Sequence, residues 1–142
     1  MAITTNAICN SFKKELLEAT HNFSNPGGNS FKLAMYTNSA ALGKSTTSFT
    51  TGGQVSSPSG YTSGGKALVN AGTSIATNTA ITDFADLSFT GVTLTARGAL
   101  IYNDTNGDKA VAVLDFGGDK TATSGTFTIQ FPAFTTSAAI LR

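Results

Sequence analysis

The chain is poor in charge. Asp, Glu, Lys and Arg make up only 12% of its 142 residues, about half the usual share of a globular domain. The formal net charge is +1, so no basic field exists to gather nucleic acid or an anionic membrane. There is one cysteine, Cys9, which excludes an intrachain disulfide framework. There is one histidine, His21, and no tryptophan. No apolar run approaches the ~20 residues of a spanning helix. The opening MAITTNAIC has no charged stretch followed by an apolar core, so no signal peptide is expected.

What remains is 40% hydrophobic residues set among Gly, Ser, Thr, Ala and Asn. Such a mix suits β-sheet with long polar loops, and the length suits one domain with its own core. The clearest segment is FTGVTLTARGALIYNDTNGDKAVAVLDF, Phe89 to Phe116. Two strand-like runs flank Asn106-Gly107, a strong signal for a type I′ hairpin turn. Val92, Leu94 and Ala96 share one face, and Gly98, Leu100 and Tyr102 continue it across a bulge. Ala110 to Phe116 is nearly all apolar, which predicts a strand covered on both faces.

Gly117-Gly118-Asp119 is expected to break that strand. Thr126 to Phe131 then alternates, with Phe127, Ile129 and Phe131 inward, and Pro132 ends it. Asp83, Ala85, Leu87 and Phe89 predict another strand. Phe31 to Thr37 predicts one more, and residues 67 to 82 two short ones.

One helix is predicted, over residues 6 to 20, with Asn6 as its N-cap and its end near Asn22. Ile8, Phe12, Leu16 and Ala19 recur at helical spacing, Cys9 and Leu17 widen the stripe, and Lys13, Lys14, Glu15 and Glu18 fall outside it. Asn25-Pro26-Gly27-Gly28 separates helix from strands. Residues 37 to 66 read as a long Ser/Thr/Gly-rich loop with a short strand near Ser48 to Val55. The fold class is therefore mainly β: a β-sandwich or jelly-roll-like single domain over 1–142. Its parts are a helix or arm over 1–24 and a sandwich over 30–142.

The chemistry-bearing residues are few. A Ser or Cys nucleophile commonly works through histidine, and His21 sits where a helix C-terminus favours it anyway. Cys9 reads as a buried, inert thiol. Asp104, Asn106 and Asp108 place oxygen ligands at alternate positions, as a calcium loop does. Lys109 stands where that loop needs glycine, however, and Asp115 at its twelfth position lies in the apolar run. A hairpin tip explains the same residues without an ion. Asp83 and Asp86 point to opposite faces of a strand, and Glu15 and Glu18 read as a solvated pair beside lysines. Gly52-Gly53 and Gly64-Gly65-Lys66 lack the P-loop pattern. Arg97 is expected to pair with an acid inside a sheet or across an interface. No catalytic, cofactor-binding or metal site is assigned, and the chain reads as non-enzymatic.

Four segments carry a resemblance: AITTNAICNSFKKELLEATHNF, FKLAMYTNSAALGKSTTSF, GYTSGGKALV and LTARGALIYNDTNGDKAVAVLDFGGDKTATSGTFTIQFP. They resemble small virion proteins of tailed bacteriophages, most closely head decoration, or cement, proteins. The resemblance implies a homo-oligomer bound to the major capsid protein on the outside of the shell. It would be made in the host cytoplasm and would need no cofactor, nucleic acid or membrane. The candidate interface residues are Ile8, Phe12, Leu16 and Leu17 of the helical stripe, with Tyr61 and Arg97. Two other readings remain open: a tail or neck component, and a carbohydrate-binding surface module, for which Tyr36, Tyr61 and Tyr102 are the only tyrosines.

Overall fold

The computed structural model describes residues 3–56 and 60–141. Within them lie seven strands and one helix: β1 (Ala7–Ile8), α1 (Asn10–Leu17), β2 (Phe31–Tyr36), β3 (Lys66–Ala67), β4 (Asn70–Ala76), β5 (Thr79–Phe84), β6 (Leu87–Asn103) and β7 (Lys109–Ile129). They form a five-stranded sheet in the order β1-β7-β6-β2-β3 and a two-stranded sheet, β4-β5. Every pairing is antiparallel. The fold is thus mainly β with a short N-terminal helix, sandwich-like in layering and without a closed barrel.

The long hairpin β6–β7 is the frame. Near the turn, Gly98 to Asn103 lie between β7 and β2, with Leu33 opposite Ile101 and Ala34 opposite Leu100. Residues Ala110 to Val113 and Ala99 to Tyr102 are buried, as the apolar run predicted for a strand covered on both faces. Beyond Gly98 the hairpin continues as a two-stranded ribbon whose inward side chains alternate, Leu87, Phe89, Val92, Leu94 and Ala96.

Gly117-Gly118-Asp119 does not break the strand as expected. Between the pairs Gly98↔Asp115 and Ala96↔Lys120, β6 has only Arg97 while β7 has the four residues Phe116 to Asp119. This is a large, irregular bulge, which Gly117 permits at φ 78°. The surplus residues let β7 bend, and the Phe116 ring comes to 5.8 Å from Phe127. Phe127 and Phe131 are only half-buried, whereas Ile129 is buried. The expected strand through Asp83 and Leu87 is likewise two strands, divided at the exposed Ala85 and Asp86.

The helix is shorter than the apolar spacing implies. Ala7 and Ile8 pair with Val113 and Ala112 as an outer strand, so Ile8 is not on the helix and Asn6 is not its cap. Asn6 Oδ1 instead accepts the Asp115 N–H. Cys9 occupies the N-cap in extended conformation with no side-chain cap bond. The helix stops at Leu17, and Ala19 takes a left-handed φ of 58°. This sharp stop turns His21 and Phe23 into an aromatic cluster with Phe12, Phe31 and Phe84. The N-terminal segment is thus built into the main sheet and is not a detached arm.

Residues 37 to 65 hold no named strand among the described positions. The strand expected near Ser48 to Val55 reduces to two isolated bridges, Ser48↔Lys109 and Tyr36↔Gln54. A turn at Gly52-Gly53, with Gly53 at φ 76°, interrupts it. Pro58 of this loop lies outside the described residues. The loop is a cover for the sheet: Ala40, Leu42, Val55 and Tyr61 are all buried in the common core.

Candidate functional site

His21 and Glu15 are six residues apart, yet both turn inward from the end of α1. His21 Nε2 lies 2.7 Å from Glu15 Oε2, and Nδ1 lies 3.0 Å from Asn103 Nδ2. Asn103 Oδ1 accepts two backbone N–H groups, from Thr105 and Asn106. That fixes its amide nitrogen toward the ring. An amide nitrogen only donates, so Nδ1 accepts and Nε2–H donates to the carboxylate. Both ring nitrogens are occupied and the side chain is sealed from solvent. His21 in this arrangement has no free nitrogen with which to take a substrate's proton.

The expectation that Glu15 is solvated is therefore corrected. It is buried, bonded to His21, and has Lys109 Nζ 3.8 Å from its other oxygen. Glu18 alone is a solvated acid, paired with Lys14. The period of the stripe pointed Phe12 and Leu16 inward; Phe12 is buried, but Glu15 turns inward where Leu16 was expected.

The hairpin tip is a network of internal contacts. Asn106 and Gly107 do not form a two-residue I′ turn. Five residues, Asp104 to Asp108, lie between the closing pair Asn103↔Lys109, and the left-handed positions are Gly107 and Asp108. Asn106 Nδ2 donates to the Thr20 carbonyl at 2.6 Å and to Asn29 Oδ1. Asp104 meets Lys32 at 3.1 Å, and the Asp108 carbonyl accepts the Phe49 N–H. The Asp104 and Asn106 side chains thus serve the protein's own chain, and Asp108 serves it through its backbone carbonyl. Among the described residues no three His, Cys, Asp or Glu side chains gather closely enough to hold a metal ion.

Cys9 is fully buried. Burial, with the Glu15 charge adding to it, pushes its thiol up to about 11, which suppresses the reactive thiolate at neutral pH. Arg97 pairs within its sheet: Nε lies 3.2 Å from Asp115 Oδ1. Tyr61 is buried, donating its hydroxyl hydrogen to Gln54 Oε1 and accepting the Met35 N–H. Burial raises it to about 12. Tyr61 is therefore not an open contact residue, while Arg97 is held by Asp115 with its side chain 24% exposed. Tyr36 and Tyr102 are buried as well, so none of the three tyrosines offers a face on which a sugar could stack.

Two of the interface candidates are open. Leu17 is 91% exposed and Leu16 44%. Leu16 lines one of two apolar clefts that share Ala7, Ile8 and Ile140. One, of about 990 Å³, runs along β7 past Leu114, Phe116, Phe127 and Ile129. The other, of about 930 Å³, lies between α1 and β5, with Ile8, Phe12, Leu16, Ile81 and Leu141 in its walls. Sequence reasoning missed the contributions of Ile81, Ile140 and Leu141. No local pattern links them to the helix, because only the bridge Thr82↔Leu141 brings the chain's last described residues to β5.

Comparison with protein-family models, with curated proteins and with solved structures gives no match. Among the described residues no helix is long and apolar enough to cross a membrane.

Proposed function

We propose that this chain is a non-enzymatic virion structural protein of a tailed bacteriophage. Within that class we read it as a capsid decoration protein that binds the outer shell and stabilises the head. The observation that carries the reading is a contrast. The groups that could do chemistry, Glu15, His21, Cys9 and Asp115, are engaged or buried inside the fold, while Leu16, Leu17 and the two apolar clefts lie open. A protein arranged in this way works by contact. The head location and the major capsid protein as partner rest on the sequence resemblance of the four segments above.

Two measurements on purified particles test this. Quantitative mass spectrometry of the virion should count hundreds of copies; a single ring's worth would place the protein in the tail or neck instead. Particles lacking the protein should release their genome at lower temperature or after milder osmotic shock. Equal resistance with and without it would overturn the stabilising role. Because β1 and α1 are part of the main sheet, substituting Leu17 is a cleaner probe of the contact than truncating the N-terminus. Leu17→Ser should leave the melting temperature unchanged and weaken shell binding.

A further inference from the structure

The cleft between α1 and β5 differs from the one along β7 in its charge. Among the described residues its only charged lining residues are Lys13 and Lys44. Both are exposed, and among the described residues neither is in an ion pair, in contrast to Lys14, Lys32 and Lys109. No carboxylate of the described residues lines this cleft to answer them. Glu15 is turned inward to His21, and Glu18 is held by Lys14. The rest of the lining is mostly apolar, with Asn10, Thr73 and Thr82 as its uncharged polar members, and Leu16 within it is 44% exposed.

An apolar trough with two unanswered ammonium groups selects an occupant of the opposite pattern. We infer that the α1–β5 cleft is the docking site for a partner protein's segment in which apolar side chains flank one or more acidic residues. The apolar side chains fill the trough over Phe12 and Ile81, and the carboxylates meet Lys13 and Lys44. The lining includes Ala7 and Ile8 of β1, the outermost strand of the main sheet. This deepens the proposed function, and it rests on the part of that reading in which the chain acts by docking on another protein.

The test uses the isolated full chain and a synthetic probe, the acetylated hexapeptide Leu-Glu-Leu-Phe-Asp-Leu, followed by amide chemical shifts. Shifts should change at Phe12, Lys13, Leu16, Lys44 and Ile81 and leave the ribbon of β6 and β7 unmoved. The double variant Lys13→Glu with Lys44→Glu alters only exposed side chains, so it should fold as the parent does by circular dichroism. It should lose about tenfold or more in affinity for this peptide. It should gain affinity for the counterpart peptide in which both acids are lysine. A peptide that leaves the cleft unperturbed, or binds both variants equally, overturns the assignment. So does a result in which decanoate shifts the cleft residues and the peptide does not, since that makes the occupant an anionic amphiphile. None of these outcomes depends on the capsid. A cleft that binds the acidic peptide in a chain absent from purified particles would sink the virion reading alone.

Discussion

Asn103 is fully buried, and each of its polar atoms is used. It joins the hairpin tip, the residues after the helix and His21 in one network. Asn103→Ala leaves the Thr105 and Asn106 N–H groups and His21 Nδ1 short of partners. The expected cost is about 3 kcal/mol, read as a lower urea midpoint. Cys9 should react with a thiol reagent at pH 8 only as fast as the protein unfolds, and as fast as free cysteine in denaturant. Rapid labelling of the native chain would show its thiol to be accessible.

Asp83 gives a pH dependence. Its Oδ1 accepts the Phe84 N–H, but Oδ2 is buried without a well-formed hydrogen bond. The Ile140 N–H nearby offsets burial only in part, and the carboxyl is held above its usual range. A raised carboxyl favours folding while protonated. That contribution is complete below the unfolded value near ~4 and is lost as pH rises through the higher folded value. Relative to Asp83→Asn, the parent should therefore gain stability on going from pH 7 to pH 4. A difference that stays flat across that range would refute the shift.

At the scale of elements, loops do as much as strands. Gly65 has φ +80°, and a Cβ there would collide with the Leu33 carbonyl oxygen. Gly65→Ala must push the covering loop off β2, and about 3 kcal/mol or more is expected. Gly107 has a similar φ of 68° with open space around it. Gly107→Ala meets only the backbone penalty of about 1 kcal/mol. Thermal melts of the two variants separate close packing from turn geometry; equal losses would mean that the loop yields freely. The helix shows the same dependence on neighbours. Its Phe12 face packs because the chain reverses at Ala19 and brings His21 and Phe23 against it.

For the whole molecule, stability is uneven. The centre of the main sheet, β2 with Gly98–Asn103 and Lys109–Asp115, is packed on both faces. The β4-β5 sheet has β4 almost wholly exposed, with Ile75 in solvent. It is tied to the rest mainly through the Phe84 ring and the bridge to Leu141. Amide exchange should be slowest at Leu100, Ile101 and Val113 and fastest in β4, which opens before the rest. Comparable protection in the two sheets would show instead that they unfold as one unit.

The mainly β class, the hairpin centred near Asn106-Gly107, the doubly covered strand from Ala110 and the buried Cys9 were legible from sequence. Each rests on a local rule: alternation, turn chemistry or the apolar character of a short run. The helix length, the inward turn of Glu15, the bulge at Gly117 and the burial of Tyr61 were not. These depend on which distant residues meet. Ile8 leaves the helix because Ala112 offers it a strand partner, and Tyr61 is buried because Met35 and Gln54 take its hydroxyl. The open cleft beside α1 belongs to this second group. Its residues come from four separate stretches of chain, and only the folded sheet brings Lys13 and Lys44 to one apolar trough.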